Sequence, residues 1–165
     1  MKASNKTSKR VEHGFPPFIY KEAKILILGS FPSPVSRETG FYYGHPKNRF
    51  WSVLANVYRE KVPETIDEKK LFLKRHSIAL WDVVASCDIV GASDSSISGV
   101  IPNDISAAIC GTDIKRILVT GKTAGKLLKK YVGIEGEELP SSSPANCAVS
   151  FEKLVEIYEK ILNNK

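Results

Sequence analysis

The sequence predicts an α/β fold: a three-layer α/β/α sandwich around a short, mainly parallel sheet of four strands. Three observations carry that expectation. Short and almost uninterrupted apolar runs recur, as in strands buried on both faces of a parallel sheet. Helical patterns alternate with them, which implies helices on both faces. The 165 residues suffice for one core but not for two ordinary domains.

The elements follow in order. Lys24 to Gly29 (KILILG) is the first strand and ends in glycine. Phe50, Trp51, Leu54, Val57 and Tyr58 recur at helical spacing, leaving Asn48 and Ser52 off the apolar face. Asp67 to His76 is a second helical stretch, and Ile78 to Val84 (IALWDVV) the next strand. Pro102 stands at the first position of a helix running to Cys110. Arg116 to Gly121 (RILVTG) is the third strand and leads directly into a helix over Thr123 to Tyr131. Glu138 to Ser141 is a weaker fourth strand before a Ser/Pro loop. Phe151, Leu154, Val155, Tyr158, Ile161 and Leu162 form the clearest amphipathic stripe, with Ser150 as its N-cap.

Ligands of parallel sheets bind at the carboxyl ends of the strands, near a switch in strand order. That rule points to Ser30–Arg49, Ala85–Val100 and Pro140–Asn146.

Composition narrows the class. The formal charge is +6, but Lys2, Lys6, Lys9 and Arg10 precede any acid, leaving 20 basic against 18 acidic residues. Residues 1–10 read as a disordered basic leader, and residues 11–165 as one domain. Such a leader suits the sequence-independent attraction of a DNA backbone, and equally a solubilising tail. No run is long and apolar enough to span a membrane, and the first residues lack the apolar stretch of a secretory signal. The expectation is a monomeric, cytoplasmic protein associated with the nucleoid. Cys87, Cys110 and Cys147 are far apart and odd in number, and His13, His45 and His76 are scattered. Three small buried hydrophobes are expected rather than a disulfide, zinc or iron–sulfur site, and no metal or cofactor is expected.

The first loop concentrates the chemistry. It runs Gly29-Ser30-Phe31-Pro32-Ser33 and then Gly40-Phe41-Tyr42-Tyr43-Gly44-His45-Pro46-Lys47-Asn48-Arg49-Phe50-Trp51. Consecutive aromatics between glycines, outside any periodic element, suit stacking on a planar ring, worth about 1–3 kcal/mol per base. Burial of the loop as a satellite cluster is the alternative. Asn48 can accept a hydrogen bond from water through its carbonyl and donate through its amide; asparagine at a helix mouth is also a favoured cap. Phe50 and Trp51 belong to the core by their spacing.

These residues resemble a known family. Thr39-Gly40-Phe41 with His45 to Trp51 is similar to the motif of mismatch-specific uracil/thymine-DNA glycosylases, in the uracil-DNA glycosylase superfamily. The full set is closer to the DNA-deoxyinosine (hypoxanthine-DNA) glycosylase family: GSFPS, FYYGHPKNRFW and a late LPSSSPAN, here Leu139 to Asn146. The similarity runs from about Gly14 to Tyr158. Two slots depart from the relatives. Phe31 stands where the mismatch-specific enzymes keep the asparagine of GINPG, and Leu139 where a histidine or asparagine often opens the late motif.

The resemblance implies a uracil-DNA glycosylase-like fold and a monofunctional glycosylase acting on a deaminated base, hypoxanthine first and uracil second, flipped out of double-stranded DNA. It implies that the water-positioning asparagine has moved to Asn48 and that Tyr43 stacks on the base. Phe31, with the Gly29–Ser33 backbone including Ser30, would complete the base pocket, and His45 would bond the base or brace the loop. Ser141, Ser142, Ser143 and Asn146, with Lys47 and Arg49, are the candidate DNA contacts; Arg49 is equally suited to an ion pair. Asp94, in the polar middle loop, either orients a base edge or caps a turn. The alternatives are a mismatch-specific uracil/thymine enzyme and a non-catalytic lesion-binding module. A nucleotide binder is disfavoured, because no phosphate-cradling glycine pattern follows any strand.

Overall fold

The computed structural model describes residues 7–164. The chain runs β1 (Lys9–Glu12), β2 (Ile25–Gly29), α1 (Pro34–Thr39), α2 (Phe50–Tyr58), α3 (Ile66–Arg75), β3 (Ile78–Asp82) and β4 (Val84–Ile89). A 3-10 turn (Asp94–Ser96), β5 (Ser98–Pro102), α4 (Ile105–Ile109), β6 (Arg116–Thr120) and α5 (Lys122–Leu127) follow. A π turn (Leu128–Val132), β7 (Glu137–Leu139) and α6 (Phe151–Leu162) complete it.

The main sheet has the order β3-β2-β6-β7, and all its strands are parallel. Alternation along each strand divides the core. Ile27, Leu80 and Leu118 face one side, where α2, α3 and α6 cover them with Phe50, Leu54, Phe72, Leu154 and Tyr158. Leu26, Leu28, Ala79 and Val119 face the other side and pack with Ile105, Ala124 and Leu128. The α/β/α layering expected from the sequence is what forms.

Local signals explain the helix boundaries. Ser33 caps α1 by accepting from the Ser36 amide, and Pro34 opens it. Thr65 and Glu68 form a reciprocal capping box at α3. Ser150 caps α6 through the Lys153 amide, as its position suggested.

Several expectations change. The chain does not loop freely after β3. At Val83 it leaves the main sheet, the amides of Val83 and Val84 donating to the carbonyls of Gly29 and Ser30. It then pairs in a second, antiparallel sheet of order β1-β4-β5. Half of Ala85–Val100 is therefore strand. Pro102 ends β5 instead of opening a helix, and Asp104 caps α4 through the Ala107 amide. The basic leader falls mostly on residues 1–6, outside the described residues. Lys9 and Arg10, assigned to it, are instead in β1, where Arg10 donates to Ser86 and to the Gly99 carbonyl. A short helix, α1, occupies part of the loop after β2. Of the three cysteines, only Cys87 is buried; Cys110 and Cys147 are exposed. Among the described residues, no helix is long and apolar enough to cross a membrane.

Leu28 lies fully buried in the central strand β2. Leu28→Ala removes its methyl groups and leaves a cavity, so a loss of about 3 kcal/mol is expected in urea unfolding.

Candidate active site

The strand order places the switch point between β2 and β6, since the chain leaves β2 toward β3 and later returns to β2's other edge at β6. A cavity of about 710 Å³ opens there, at the carboxyl ends of β2, β3 and β6. Gly29, Asp82 and Thr120 come from the strand ends; Tyr43, His45 and Asn48 come from the loop before α2; Asp94 and Ser141–Asn146 form the rim. All three loops expected at the site contribute to it.

The aromatic run splits by role. Phe41 and Tyr42 are buried in the core, Tyr42 donating to the Pro16 carbonyl, so the three aromatics do not form one exposed wall. Tyr43 is half-buried. One face stacks on Phe50 at 3.8 Å between centroids and 15° between planes, and Tyr43 lines the cavity. Its Oη lies 3.2 Å from Thr120 Oγ1, which donates to the Leu28 carbonyl, so the tyrosine is the donor. Burial, followed by the nearby charge of Asp82, holds its hydroxyl well above the usual tyrosine range. Its backbone is left-handed, at φ 52, a conformation bulky residues avoid unless their surroundings impose it. Phe50 and Trp51 are buried anchors, as their spacing predicted.

Asn48 sits where the late loop meets α2. Its Oδ1 accepts from the Phe50 amide at 3.0 Å and from the Ser142 hydroxyl at 2.8 Å. Both lone pairs are thus engaged, the first as a cap-like bond at the helix mouth. Nδ2 makes no hydrogen bond among the described residues, and Asn48 lines the cavity. The polar group it leaves to the cavity is therefore its amide donor, since the carbonyl considered for water is already engaged.

The other expected contacts sort clearly. His45 Nδ1 accepts from the Lys47 amide, which leaves Nε2–H as a donor; Lys47 itself is exposed. Arg49 is turned onto the late loop. Its guanidinium donates to the carbonyls of Val149, Asn146 and Ser143, clamping the late loop. Ser142 is buried and bonded to Asn48, and the Asn146 amide closes the loop on the Ser141 carbonyl. Ser141 and Ser143 accept loop amides, and their hydroxyl hydrogens remain available. Phe31 lines the cavity but is only 8 % exposed, with the Arg37 guanidinium 5.6 Å over its ring.

Two carboxylates join this set. Asp82, the last residue of β3, is buried, and its Oδ2 accepts from His13 Nε2 at 2.7 Å. Neither residue stands out as a site candidate in the sequence. An acid inside the apolar run IALWDVV was the available signal for Asp82, while nothing marked His13. Asp94, left without a settled role by the sequence, accepts from the Ser30 hydroxyl at 2.8 Å. Desolvation raises its pKa above the usual aspartate value; the Ser30 bond opposes this, and Asp82 adds to it. Gly29 has a steric role. A side-chain carbon there would overlap Asp82 Oδ1, so glycine makes room for the carboxylate.

The chain matches the model of the uracil DNA glycosylase superfamily over residues 16–163. Two relatives described as hypoxanthine DNA glycosylases share 37 % identity with it. The one from Methanosarcina acetivorans aligns over 82 % of this chain and 89 % of its own; that from Methanosarcina barkeri over 82 % and 88 %. The fold is also similar to a solution NMR structure of a candidate uracil DNA glycosylase from Methanosarcina acetivorans, with a TM-score of 0.75 and 32 % identity, covering 95 % of this chain and 96 % of that one. The chain belongs to the uracil DNA glycosylase superfamily, and so to the hydrolases that act on N-glycosyl bonds in DNA.

Two outcomes follow from this geometry. Gly29→Ala displaces the Asp82 carboxylate, so the single-turnover glycosylase rate should fall roughly tenfold or more while far-UV circular dichroism is unchanged. Asp94 has a raised folded pKa, so the native state binds its proton more tightly than the unfolded chain does, and ionisation destabilises the fold as pH rises. Asp94→Asn should therefore raise the melting temperature at pH 7, by an amount kept small by the residue's position at the open rim. The gain should vanish as pH falls below the ordinary aspartate value near 4.

Proposed function

We propose that the chain is a monofunctional DNA glycosylase that releases hypoxanthine, and secondarily uracil, from double-stranded DNA in base excision repair. The supporting observation is the convergence on one strand-end cavity of a stacking tyrosine face, a free asparagine amide and two carboxylates. The names of the two relatives supply the base.

The target nucleotide leaves the stack, at a cost of a few kcal/mol that is least for a mispaired base. Its ring lies on the open face of Tyr43, whose other face is braced by Phe50. Water then adds to C1′ of the sugar as the C1′–N bond breaks, and the bonding pair departs on the base. Asn48 Nδ2–H and His45 Nε2–H are the donors that stabilise this charge, preorganised by the bonds at Asn48 Oδ1 and His45 Nδ1. Asp94, with one oxygen held by Ser30, is the acceptor for the water's proton. The released base takes a proton from solvent. No lysine nucleophile enters, so the DNA backbone stays intact. Lys47 and the free hydroxyls of Ser141 and Ser143 contact phosphates and set register without reading sequence. The proposal extends to a monomer working in the cytoplasm at the nucleoid, where double-stranded DNA is found.

Incubation with a labelled deoxyinosine duplex, followed by alkali, should cleave the strand at the lesion; a deoxyuridine duplex should react more slowly. Intact strands from both duplexes would sink the proposal. Asn48→Asp separates cap from chemistry: it keeps an acceptor for the Phe50 amide and Ser142 but removes the amide donor. It should unfold within about 1 kcal/mol of the parent yet excise roughly 100-fold more slowly. Undiminished excision would remove Asn48 from the reaction.

A further inference from the structure

We propose that a second cavity, between β1 and α1, binds a phosphodiester of the DNA strand that flanks the nucleotide held in the active site. The proposal rests on the glycosylase reading above and extends the DNA contact surface to the antiparallel sheet.

This cavity, of about 430 Å³, is lined by Lys9 and Val11 of β1, Pro34 and Arg37 of α1, and Ile89 at the end of β4. The antiparallel register sets Lys9 opposite Ile89. Side chains alternate along a strand, so Lys9 and Val11 point to the cavity while Arg10 lies on the other face of β1. There Arg10 meets Asp88 at 3.7 Å and donates to Ser86. Gly91 turns the chain out of β4 in a left-handed conformation, at φ 58, and adds no side chain to the wall it forms.

Electrostatics select an anion. Lys9 and Arg37 bring two positive charges, and no carboxylate lines the cavity among the described residues. Neither cation forms a salt bridge among the described residues, whereas Arg10 beside them is neutralised by Asp88. Arg37 Nε is buried without a hydrogen-bond partner. A desolvated N–H of this kind is unfavourable until a ligand brings it an acceptor. A guanidinium matches two phosphate oxygens at once, and a lysine adds a point charge to the pair.

Position selects the source of that phosphate. Ile89 lines both cavities. Pro32 and Ser33 line the active site, and the next residue, Pro34, lines the second cavity. The Arg37 guanidinium lies 5.6 Å over the ring of Phe31, which itself lines the active site. The two cavities are therefore neighbours with a common wall. A strand that delivers one nucleotide into the first carries its adjoining phosphates across that wall. A phosphodiester held by Lys9 and Arg37 would fix the register of the strand without reading a base.

The test uses duplexes with a non-cleavable 2′-fluoroarabino hypoxanthine nucleotide, in which each phosphate flanking the lesion is replaced in turn by an uncharged methylphosphonate. With the unaltered full-length protein, one flanking position should weaken binding at least fivefold when neutralised. In Lys9→Gln and in Arg37→Gln that position should matter less than twofold, while the other positions keep their parental effect. Each variant should also lower the slope of log affinity against log salt by about 0.9, the loss of one phosphate contact. Lys160→Gln, the same charge change at an exposed residue of α6, should leave the position profile as it is. Variants that keep the parental profile would overturn the proposal, as would variants that flatten every position alike. If Arg37→Gln does not fold, Lys9→Gln on the exposed strand β1 decides alone. Inorganic phosphate, titrated alone at millimolar concentration, should leave the amide resonances of Lys9 and Arg37 unshifted; saturable shifts would assign the cavity to a free anion and overturn the DNA assignment. Failure to excise cleavable deoxyinosine would refute the glycosylase reading itself, whereas a flat profile in a protein that does excise it refutes only the second cavity's role.

Discussion

The junction between the entrance of α2 and the loop after β7 is where the site is assembled. Asn48 and Arg49 are adjacent, and both bind that loop, the first by accepting from Ser142 and the second by donating to three carbonyls. The Arg49 amide adds a bond to the Ser142 carbonyl. A loop rich in serine and proline has little apolar surface with which to hold itself, so these polar bonds decide its position. Tyr158 supports it from below by donating to the Pro140 carbonyl. The same set fixes Asn48 and, through Phe50, the face on which Tyr43 stacks.

Fixing Asn48 in this way limits what it can do. An amide has an acceptor end and a donor end. Here the fold uses the acceptor end and leaves the donor end to the cavity. The hydrophobic side chain of Phe31 offers the cavity no acceptor from the first loop. The acceptors that remain in the cavity are carboxylates from other elements, Asp82 from the end of β3 and Asp94 from the 3-10 turn. The donors and the carboxylate acceptors that line the cavity thus come from different parts of the chain. That separation lets each be held by its own partner: Phe50 and Ser142 for Asn48, His13 for Asp82, and Ser30 for Asp94.

Much of this was legible in the sequence. Apolar runs and the α6 stripe depend only on local periodicity, so the parallel sheet and its helices could be read directly, and the strand-end rule located the cavity. Motif likeness brought out Tyr43 and Asn48. Other features are non-local and left no comparable trace. The antiparallel sheet pairs Lys9–Glu12 with Cys87 and its neighbours, a contact across some 75 residues that no window contains. Arg49 in a sequence has the same charge whether it meets a phosphate or three carbonyls. Ser142 is as polar as its neighbours, and only its burial separates it from them.

The sequence by itself determined the layered α/β architecture, the segments that meet at the strand ends and the residue types available there, because burial periodicity and backbone chemistry act over short stretches. Tertiary structure alone decided which polar atoms remain free. Hydrogen bonds across 69 to 100 residues tether His13 to Asp82, Ser142 to Asn48 and Arg49 to Val149. Among the described residues those pairings leave Asn48 its amide donor and Asp82 one oxygen without a hydrogen bond, both on side chains that line the strand-end cavity.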